Sequence, residues 1–209
     1  MPAVETLVQV FVASLLLAVT PGPDNIFVLT QAALRGARMG LLVVLGLCTG
    51  LILHTTLVAV GAAAIFATSA LAFELLKYCG AAYLLYLAWG AFHAGAQQID
   101  GGHRVDALSG GAMYRRGIIM NVTNPKVSLF FLAFLPMFAD EARGAIAWQI
   151  VIFGLVFQLA TLLVFGGVAL AAGRLGDWLR QRPGVQRAMN RIAGLVFVVL
   201  AASLLLAER

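Results

Sequence analysis

The chain contains the stretch Thr20-Pro21-Gly22-Pro23-Asp24-Asn25, which lies well inside an apolar segment running from Leu7 to Leu29. Its two prolines have no backbone N–H, so the carbonyls of Leu17 and Val19 lose their helical partners, and the glycine between them adds freedom. We therefore predict a helix that is broken inside a membrane, where freed backbone groups need partners in protein or in a water-filled cavity. The alternative is a helix that ends at the membrane surface, with Asp24 as a solvated cap.

The composition places the whole chain in a membrane. Of its 209 residues, 62% are hydrophobic and 11% are charged, whereas about a quarter of an ordinary soluble domain is charged. A soluble domain of this size could not bury so much apolar surface. This excludes a soluble enzyme and a nucleic-acid binder. The net charge of +5 is better explained by Lys and Arg in cytoplasmic loops.

Apolar stretches predict six transmembrane helices, each of about 20 residues. A long region between Met39 and Phe73 without formal charge must hold more than one span, and another uncharged region extends from Gly144 to Gly173. The predicted spans are Leu7–Leu29, Gly40–Ala62, Ala70–Phe92, Gly117–Phe138, one within Gly144–Gly173, and Ala188–Ala207.

The distribution of basic residues predicts the orientation, because Lys and Arg collect on the cytoplasmic side. Ten of the fourteen basic residues fall after the first, third and fifth spans. These ten are Arg35, Arg38, Arg104, Arg115, Arg116, Arg174, Arg180, Arg182, Arg187 and Arg191. We predict a multi-pass protein of the bacterial inner membrane with both termini outside.

In this topology the two halves run in opposite directions, which is the layout of an inverted repeat and is common in secondary transporters. The first half is 1–92 and the second is 115–209, joined by a cytoplasmic loop at 93–114, all within one transporter domain. Val19-Thr20-Pro21 in the first half resembles Val122-Thr123-Asn124-Pro125 in the second. We therefore expect the first and fourth spans to be the broken helices.

The second break is the stretch Asn121-Val122-Thr123-Asn124-Pro125-Lys126, in which the proline frees the carbonyl of Asn121. A lysine near the bilayer centre costs roughly 2.5–3.5 kcal/mol, and such residues usually mark a pathway. If the breaks face each other, Asp24 could hold an ammonium group while Lys126 and a half-helix N-terminus attract a carboxylate. Such a site suits a zwitterion. Alternatively, Lys126 snorkels or pairs structurally with Asp24.

Other polar positions carry weaker predictions. His54, in the second span, could shuttle a proton or could be a hydrogen-bonded structural residue. Gln158 could line a cavity, but a bond to a neighbouring helix is the preferred interpretation. The small-residue pairs Gly36/Gly40 and Gly46/Gly50 permit close helix packing, within the chain or in a homo-oligomer.

The sequence contains no G-x-S-x-G, H-E-x-x-H, phosphate-loop or Cys-x-x-Cys motif. We expect no enzymatic activity, no bound metal and no cofactor. The two cysteines, Cys48 and Cys79, fall on adjacent spans, which leaves a membrane thiol redox carrier as an alternative from another functional class.

Three segments together resemble the LysE (lysine exporter) family of bacterial amino-acid exporters, most closely the branch of threonine and homoserine efflux proteins. They are Thr20–Asn25 with Arg35-Gly36-Ala37-Arg38, the segment Leu76–Leu87, and Asn124–Pro136. The resemblance implies an inner-membrane exporter of amino acids driven by the proton gradient. The site residues it implies are Pro21, Gly22, Pro23, Asp24, Asn25, Asn124, Pro125 and Lys126.

Related sequences often have Asn where this chain has Asp24, and the added charge could alter coupling or substrate choice. One carboxylate, rather than a cluster of carboxylates, lies at the breaks of the spans. We therefore favour a neutral amino acid as the substrate over lysine or arginine. The expected partners are this substrate, protons and the lipid bilayer. Export of a metal cation or another small metabolite is the alternative.

Overall fold

The computed structural model describes residues 1–68, 70–95 and 109–206, and this part of the chain is helical, without strands. The predicted loop at 93–114 and its Arg104 fall largely outside the described residues. Eight α-helices follow one another along the described residues. They are α1 (Val4–Val19), α2 (Pro23–Arg35), α3 (Ala37–Thr68), α4 (Ala70–His93), α5 (Gly110–Val122), α6 (Pro125–Leu129), α7 (Ile146–Arg180) and α8 (Pro183–Leu206).

Both predicted breaks are present. The α1–α2 pair bends by 63° across residues 20–22, and α5 bends by 49° relative to the segment that begins at Pro125. Beyond α6 this segment continues as π-helical turns over Phe130–Phe134 and a 3-10 turn over Leu135–Phe138. Each new half-helix begins with a proline, whose missing N–H costs nothing at a helix start.

By length and composition, three described helices can cross a membrane, and five spans result if each bent pair counts as one. The three are α3, α7 and α8, so five of the six predicted spans have a counterpart. The predicted span Ala70–Phe92 coincides with α4, which contains an ion pair between Glu74 and Lys77 and does not belong to these five. The exact six-span arrangement therefore stays a prediction.

The helix contacts relate the two halves. Helix α3 packs against α5 and α7, α7 packs against α1 and α2, and α4 packs along α8. Glycines allow the closest of these approaches: a Cβ added at Gly46 would meet the Tyr114 carbonyl, and one at Gly117 would meet the Val43 carbonyl. The predicted small-residue packing thus occurs within the chain at Gly46.

Buried apolar side chains form two clusters along the bundle. The first contains Leu17 with a group of phenylalanines in tilted and edge-to-face contact that includes Phe130 and Phe157. The second contains Leu47 and Phe165. Both helix breaks lie where these clusters meet, so the polar residues of the breaks are enclosed by apolar packing on two sides.

Candidate functional site

The first break buries Asp24. This residue lies in the first turn of α2, where a carboxylate is favoured by the helix N-terminus, and it is only 3% exposed. The Asn124 side-chain amide donates a hydrogen bond to Asp24 Oδ2 over 2.7 Å, whereas Asp24 Oδ1 has no partner. Asp24 is therefore a buried group facing the second break, and a solvated cap does not describe it.

Lys126, at the second break, reaches the first. Its ammonium donates to the carbonyls of Leu17, at 3.3 Å, and Thr20, at 3.2 Å. The Leu17 carbonyl is the one that Pro21 deprives of its helical partner. A Cβ at Gly22 would lie 3.2 Å from Lys126 Nζ, so the glycine leaves room for the ammonium. Lys126 thus caps the end of α1 instead of snorkelling to the membrane surface.

Asn124 lies between the two charged residues. Its amide nitrogen bonds Asp24, while its Oδ1 accepts the backbone N–H of Lys126 over 3.0 Å. All three residues are described, and the Asp24 carboxylate and Lys126 ammonium form no ion pair with each other. The two charges are therefore held near one another without neutralising each other directly.

Two further predicted residues support the breaks. Asn25 donates from Nδ2 to the Ala18 carbonyl over 2.8 Å, which holds α2 against the end of α1. His54 Nε2 lies 3.2 Å from the carbonyl of Asn121, which is the carbonyl that Pro125 frees. One proline-freed carbonyl at each break thus meets a nitrogen from the opposite half of the chain: Lys126 reaches the Leu17 carbonyl and His54 reaches the Asn121 carbonyl.

A cavity of about 20 Å³ lies between the breaks. That volume is enough for about one water molecule. Three of the predicted residues line it, namely Asp24, Asn121 and Lys126. The rest of its lining is Leu17, Ala18, Leu47, Val127, Phe157, Thr161 and Phe165.

The other predicted residues surround the cavity without lining it. Pro21, Gly22, Pro23, Asn25, Asn124 and Pro125 shape the breaks, and His54 acts through Asn121. The sequence gives no prediction for Thr161, because it is one hydroxyl residue in an apolar stretch. Gln158 on the same helix, for which a cavity position was the less favoured interpretation, is half-buried and does not line the cavity.

Three polar residues that line the cavity have an oxygen without a hydrogen-bond partner. Oxygens without a partner include Asp24 Oδ1, Asn121 Oδ1 and Thr161 Oγ1, and all three are shielded from solvent. A buried polar atom without a partner costs about 1–3 kcal/mol, so a site of this kind favours a ligand that donates hydrogen bonds. Among the described residues, no three His, Cys, Asp or Glu side chains could share a metal ion.

The two cysteines do not share an environment. Cys48 is buried in the second apolar cluster on α3, whereas Cys79 is exposed on α4, and both are free thiols. Their positions give no support to a thiol relay.

A helical membrane protein with two broken helices around a buried carboxylate and a buried ammonium has the features of a transporter. The chain belongs to the LysE type translocator family, whose profile matches residues 15–208. It is therefore a translocator and not an enzyme, in agreement with the prediction from the motifs.

Named relatives cover nearly the whole chain. It is 35% identical over 191 residues to the homoserine/homoserine lactone efflux proteins of Salmonella typhimurium (strain LT2) and Salmonella typhi, with 91% of each chain covered. It is 34% identical over 197 residues to an uncharacterized membrane protein of Vibrio cholerae serotype O1, covering 91% of this chain and 94% of that one. No solved structure matches.

Proposed function

We propose that this protein is a secondary transporter that exports a small neutral amino acid from the cytoplasm in exchange for protons. The observation that carries the proposal is the placement of a buried carboxylate, Asp24, and a buried ammonium, Lys126, on one cavity between two broken helices. The efflux activity in the names of the Salmonella relatives supports the same class of substrate.

The geometry suits the two charged groups of an amino acid. Asp24 Oδ1 is unpartnered and can accept from the substrate ammonium. Lys126 uses two of its three N–H donors on backbone carbonyls, which leaves one for the substrate carboxylate. Each substrate charge therefore meets a buried group of opposite sign, which offsets part of the cost of removing it from water.

The charged residues that line the cavity also favour a substrate with a neutral side chain. Asp24 and Lys126 are the charged residues in the cavity lining, and both are matched by the α-groups of the substrate. A lysine or arginine substrate would bring a second positive charge without a second carboxylate to receive it. Export of a metal cation is disfavoured for a related reason, because the Lys126 ammonium would repel it.

Transport requires the cavity to enlarge, since it now has room for about one water molecule. The site lies between the two apolar clusters, and separating either cluster would open the site toward one side. Helix α3 of the first half packs against α5, in the broken helix of the second half, and α7 of the second half packs against α1 and α2, the broken helix of the first. This reciprocal pattern supports an inverted repeat whose halves rock against each other. In this arrangement α4 is the third span along the chain and brings the total to six.

Proton exchange is assigned to Asp24. The carboxylate holds either a proton or the substrate ammonium, but not both at once. Substrate leaving outward would be replaced by a proton, which is released to the cytoplasm when the site faces inward again. His54 is the alternative proton carrier, and its contact with the Asn121 carbonyl favours a structural role.

Several contacts group the chain ends and connections in the way that the proposed topology, with both termini outside the inner membrane, requires. The N-terminal amine donates to the Arg143 carbonyl over 2.9 Å, which groups the N-terminus with the connection before α7. Asn190, near the start of α8, donates to the Ala94 and Gly95 carbonyls after α4. Arg116 lies over the Phe27 ring near the cytoplasmic end assigned to α2.

The decisive experiment is efflux from cells preloaded with dipeptides, with and without expression of the protein. Intracellular hydrolysis tests many amino acids at once. We expect selective outward flux of a small neutral amino acid that collapses when an uncoupler removes the proton gradient. Absence of amino-acid flux, with the protein present in the membrane, would contradict the proposal.

A further inference from the structure

Two buried oxygens of the cavity remain unused after the α-amino and α-carboxylate groups of a substrate are placed. They are Oδ1 of Asn121, which is 3% exposed, and Oγ1 of Thr161, which is 2% exposed. The first belongs to α5 and the second to α7. Both residues line the cavity, so a ligand there lies beside both.

Thr161 differs from other hydroxyl residues of the helices. Several other described Ser and Thr hydroxyls donate to the carbonyl four residues earlier, which satisfies the hydroxyl within its own helix. This bond is made by Ser14, Thr20, Thr49, Thr55, Thr56, Thr123 and Ser128. The Thr161 hydroxyl has no such bond, although the carbonyl of Phe157 lies four residues earlier in the same helix. The Thr161 hydroxyl can therefore form hydrogen bonds with a ligand in the cavity.

Asn121 is held firmly beside it. A Cβ placed on Gly50 would lie 2.7 Å from both Cβ and Oδ1 of Asn121, so the side chain packs directly on the backbone of α3. Its own carbonyl lies against His54. A side chain packed in this way keeps its unpartnered oxygen in place, as selective recognition of a polar group requires.

We propose that Thr161 and Asn121 are the specificity-determining residues of the transport site, and that they receive a hydroxyl group on the side chain of the exported amino acid. The inference rests on the proposed function, because it takes Asp24 and Lys126 as the partners of the α-groups. The hydroxyl donates to Asn121 Oδ1 and exchanges a hydrogen bond with Thr161 Oγ1. The Phe157 and Phe165 side chains close the cavity around it and restrict the substrate to short chains.

A site that leaves buried polar groups unpaired rejects an analogue that lacks the matching hydroxyl. Homoserine and norvaline form such a pair, since they have the same shape and differ by a hydroxyl in place of a methyl group. We expect the unaltered protein to export homoserine at least about tenfold faster than norvaline, a ratio that one or two well-placed hydrogen bonds can produce.

The test uses the full-length protein in liposomes with an imposed proton gradient and measures transport of both amino acids. Thr161→Val removes the hydroxyl at nearly constant volume and should lower homoserine transport about tenfold, leaving norvaline transport unchanged or raised. Thr161→Ser keeps the hydroxyl and should retain the preference. Thr56→Val is the matched control, because the Thr56 hydroxyl is exposed and bonded within its own helix.

Norvaline transport reports whether each variant is folded, and Thr161→Ala replaces Thr161→Val if the latter does not insert. Equal losses for both substrates, or no loss for either, would overturn the inference while the proposed function stands. Equal transport of homoserine and norvaline by the unaltered protein would do the same. If the unaltered protein moves no amino acid at all, the proposed function fails and this inference fails with it.

Discussion

Asp24 and Lys126 occupy the same position in the two half-helices that follow the breaks. Each comes directly after the proline that begins its helix, Pro23 in α2 and Pro125 in α6. Asp24 is stabilised by the N-terminus of its own helix, whereas Lys126 is stabilised by the carbonyl end of α1. Equivalent positions of the two halves therefore carry opposite charges, which is the arrangement that the proposed binding of a zwitterion requires.

The first prediction concerns Asp24. Replacing Asp24 by Asn keeps the shape of the side chain but removes the charge that we propose binds either the proton or the substrate ammonium. We expect amino-acid efflux to fall at least about tenfold, or to persist without dependence on the proton gradient, with normal insertion into the membrane. The measurement is efflux with and without an uncoupler.

Glu5→Gln is the matched control for this change, since Glu5 is an exposed carboxylate in the first turn of α1. It should leave efflux unchanged. Export by Asp24→Asn that is both undiminished and still driven by the proton gradient would remove Asp24 from the coupling role.

A second prediction concerns Lys126→Met. The substitution keeps most of the volume but leaves the Leu17 and Thr20 carbonyls without their ammonium donor, and it removes the proposed partner of the substrate carboxylate. We expect efflux at background level and a lower Tm of the detergent-solubilised protein, because each buried unpaired carbonyl costs about 1–3 kcal/mol.

Lys77→Met provides the comparison, because Lys77 pairs with Glu74 on α4 at 3.4 Å and does not line the cavity. Export should survive that change. If Lys126→Met transports as well as the control does, Lys126 does not bind the substrate carboxylate.

Gly22→Ala tests the close approach of the ammonium to the first break. The backbone at Gly22 is extended, with φ of −165°, so alanine is not strained there, but its Cβ would lie 3.2 Å from Lys126 Nζ. A slight displacement of the Lys126 ammonium would weaken its hydrogen bonds to the Leu17 and Thr20 carbonyls. We therefore expect efflux to fall about three- to tenfold. Gly61→Ala in α3, where a Cβ meets nothing within 4 Å, should transport normally. Equal rates for the two variants would contradict this account.

The breaks could be predicted from sequence because their causes are local. Prolines remove helical hydrogen bonds wherever they occur, and a lysine inside an apolar segment is costly unless it finds partners. The start of α5 was harder to predict. The predicted span begins at Gly117, whereas the helix begins at Gly110, after an N-cap at Ser109 whose side chain accepts a hydrogen bond from the Ala112 N–H. Arg115 and Arg116 suggested a loop there, yet they lie within the helix.

Thr161 could not be identified in the same way, because its importance depends on where a side chain points. Thr161 and Thr56 both stand in apolar helices, but the Thr56 hydroxyl bonds its own helix and the Thr161 hydroxyl lies on the cavity. The π-helical turns over Phe130–Phe134 likewise could not be predicted, because the sequence there is uniformly apolar. Such features come from tertiary packing, which composition and spacing do not encode.

The last prediction separates the two roles available to His54. Its Nε2 lies 3.2 Å from the Asn121 carbonyl that Pro125 frees, and we infer that the imidazole serves mainly as a donor holding the second break. His54→Gln retains an N–H at similar reach and should export at a near-normal rate with its dependence on the proton gradient intact. His54→Leu has no donor and should lower activity, because the Asn121 carbonyl then keeps only its local contact with the Asn124 backbone N–H, at 3.1 Å, and loses the hydrogen bond that ties the second break to α3. Efflux at several imposed pH gradients is the measurement. If His54→Gln still exports but no longer responds to the gradient, the imidazole itself carries the coupled proton, and the assignment of that role to Asp24 is wrong.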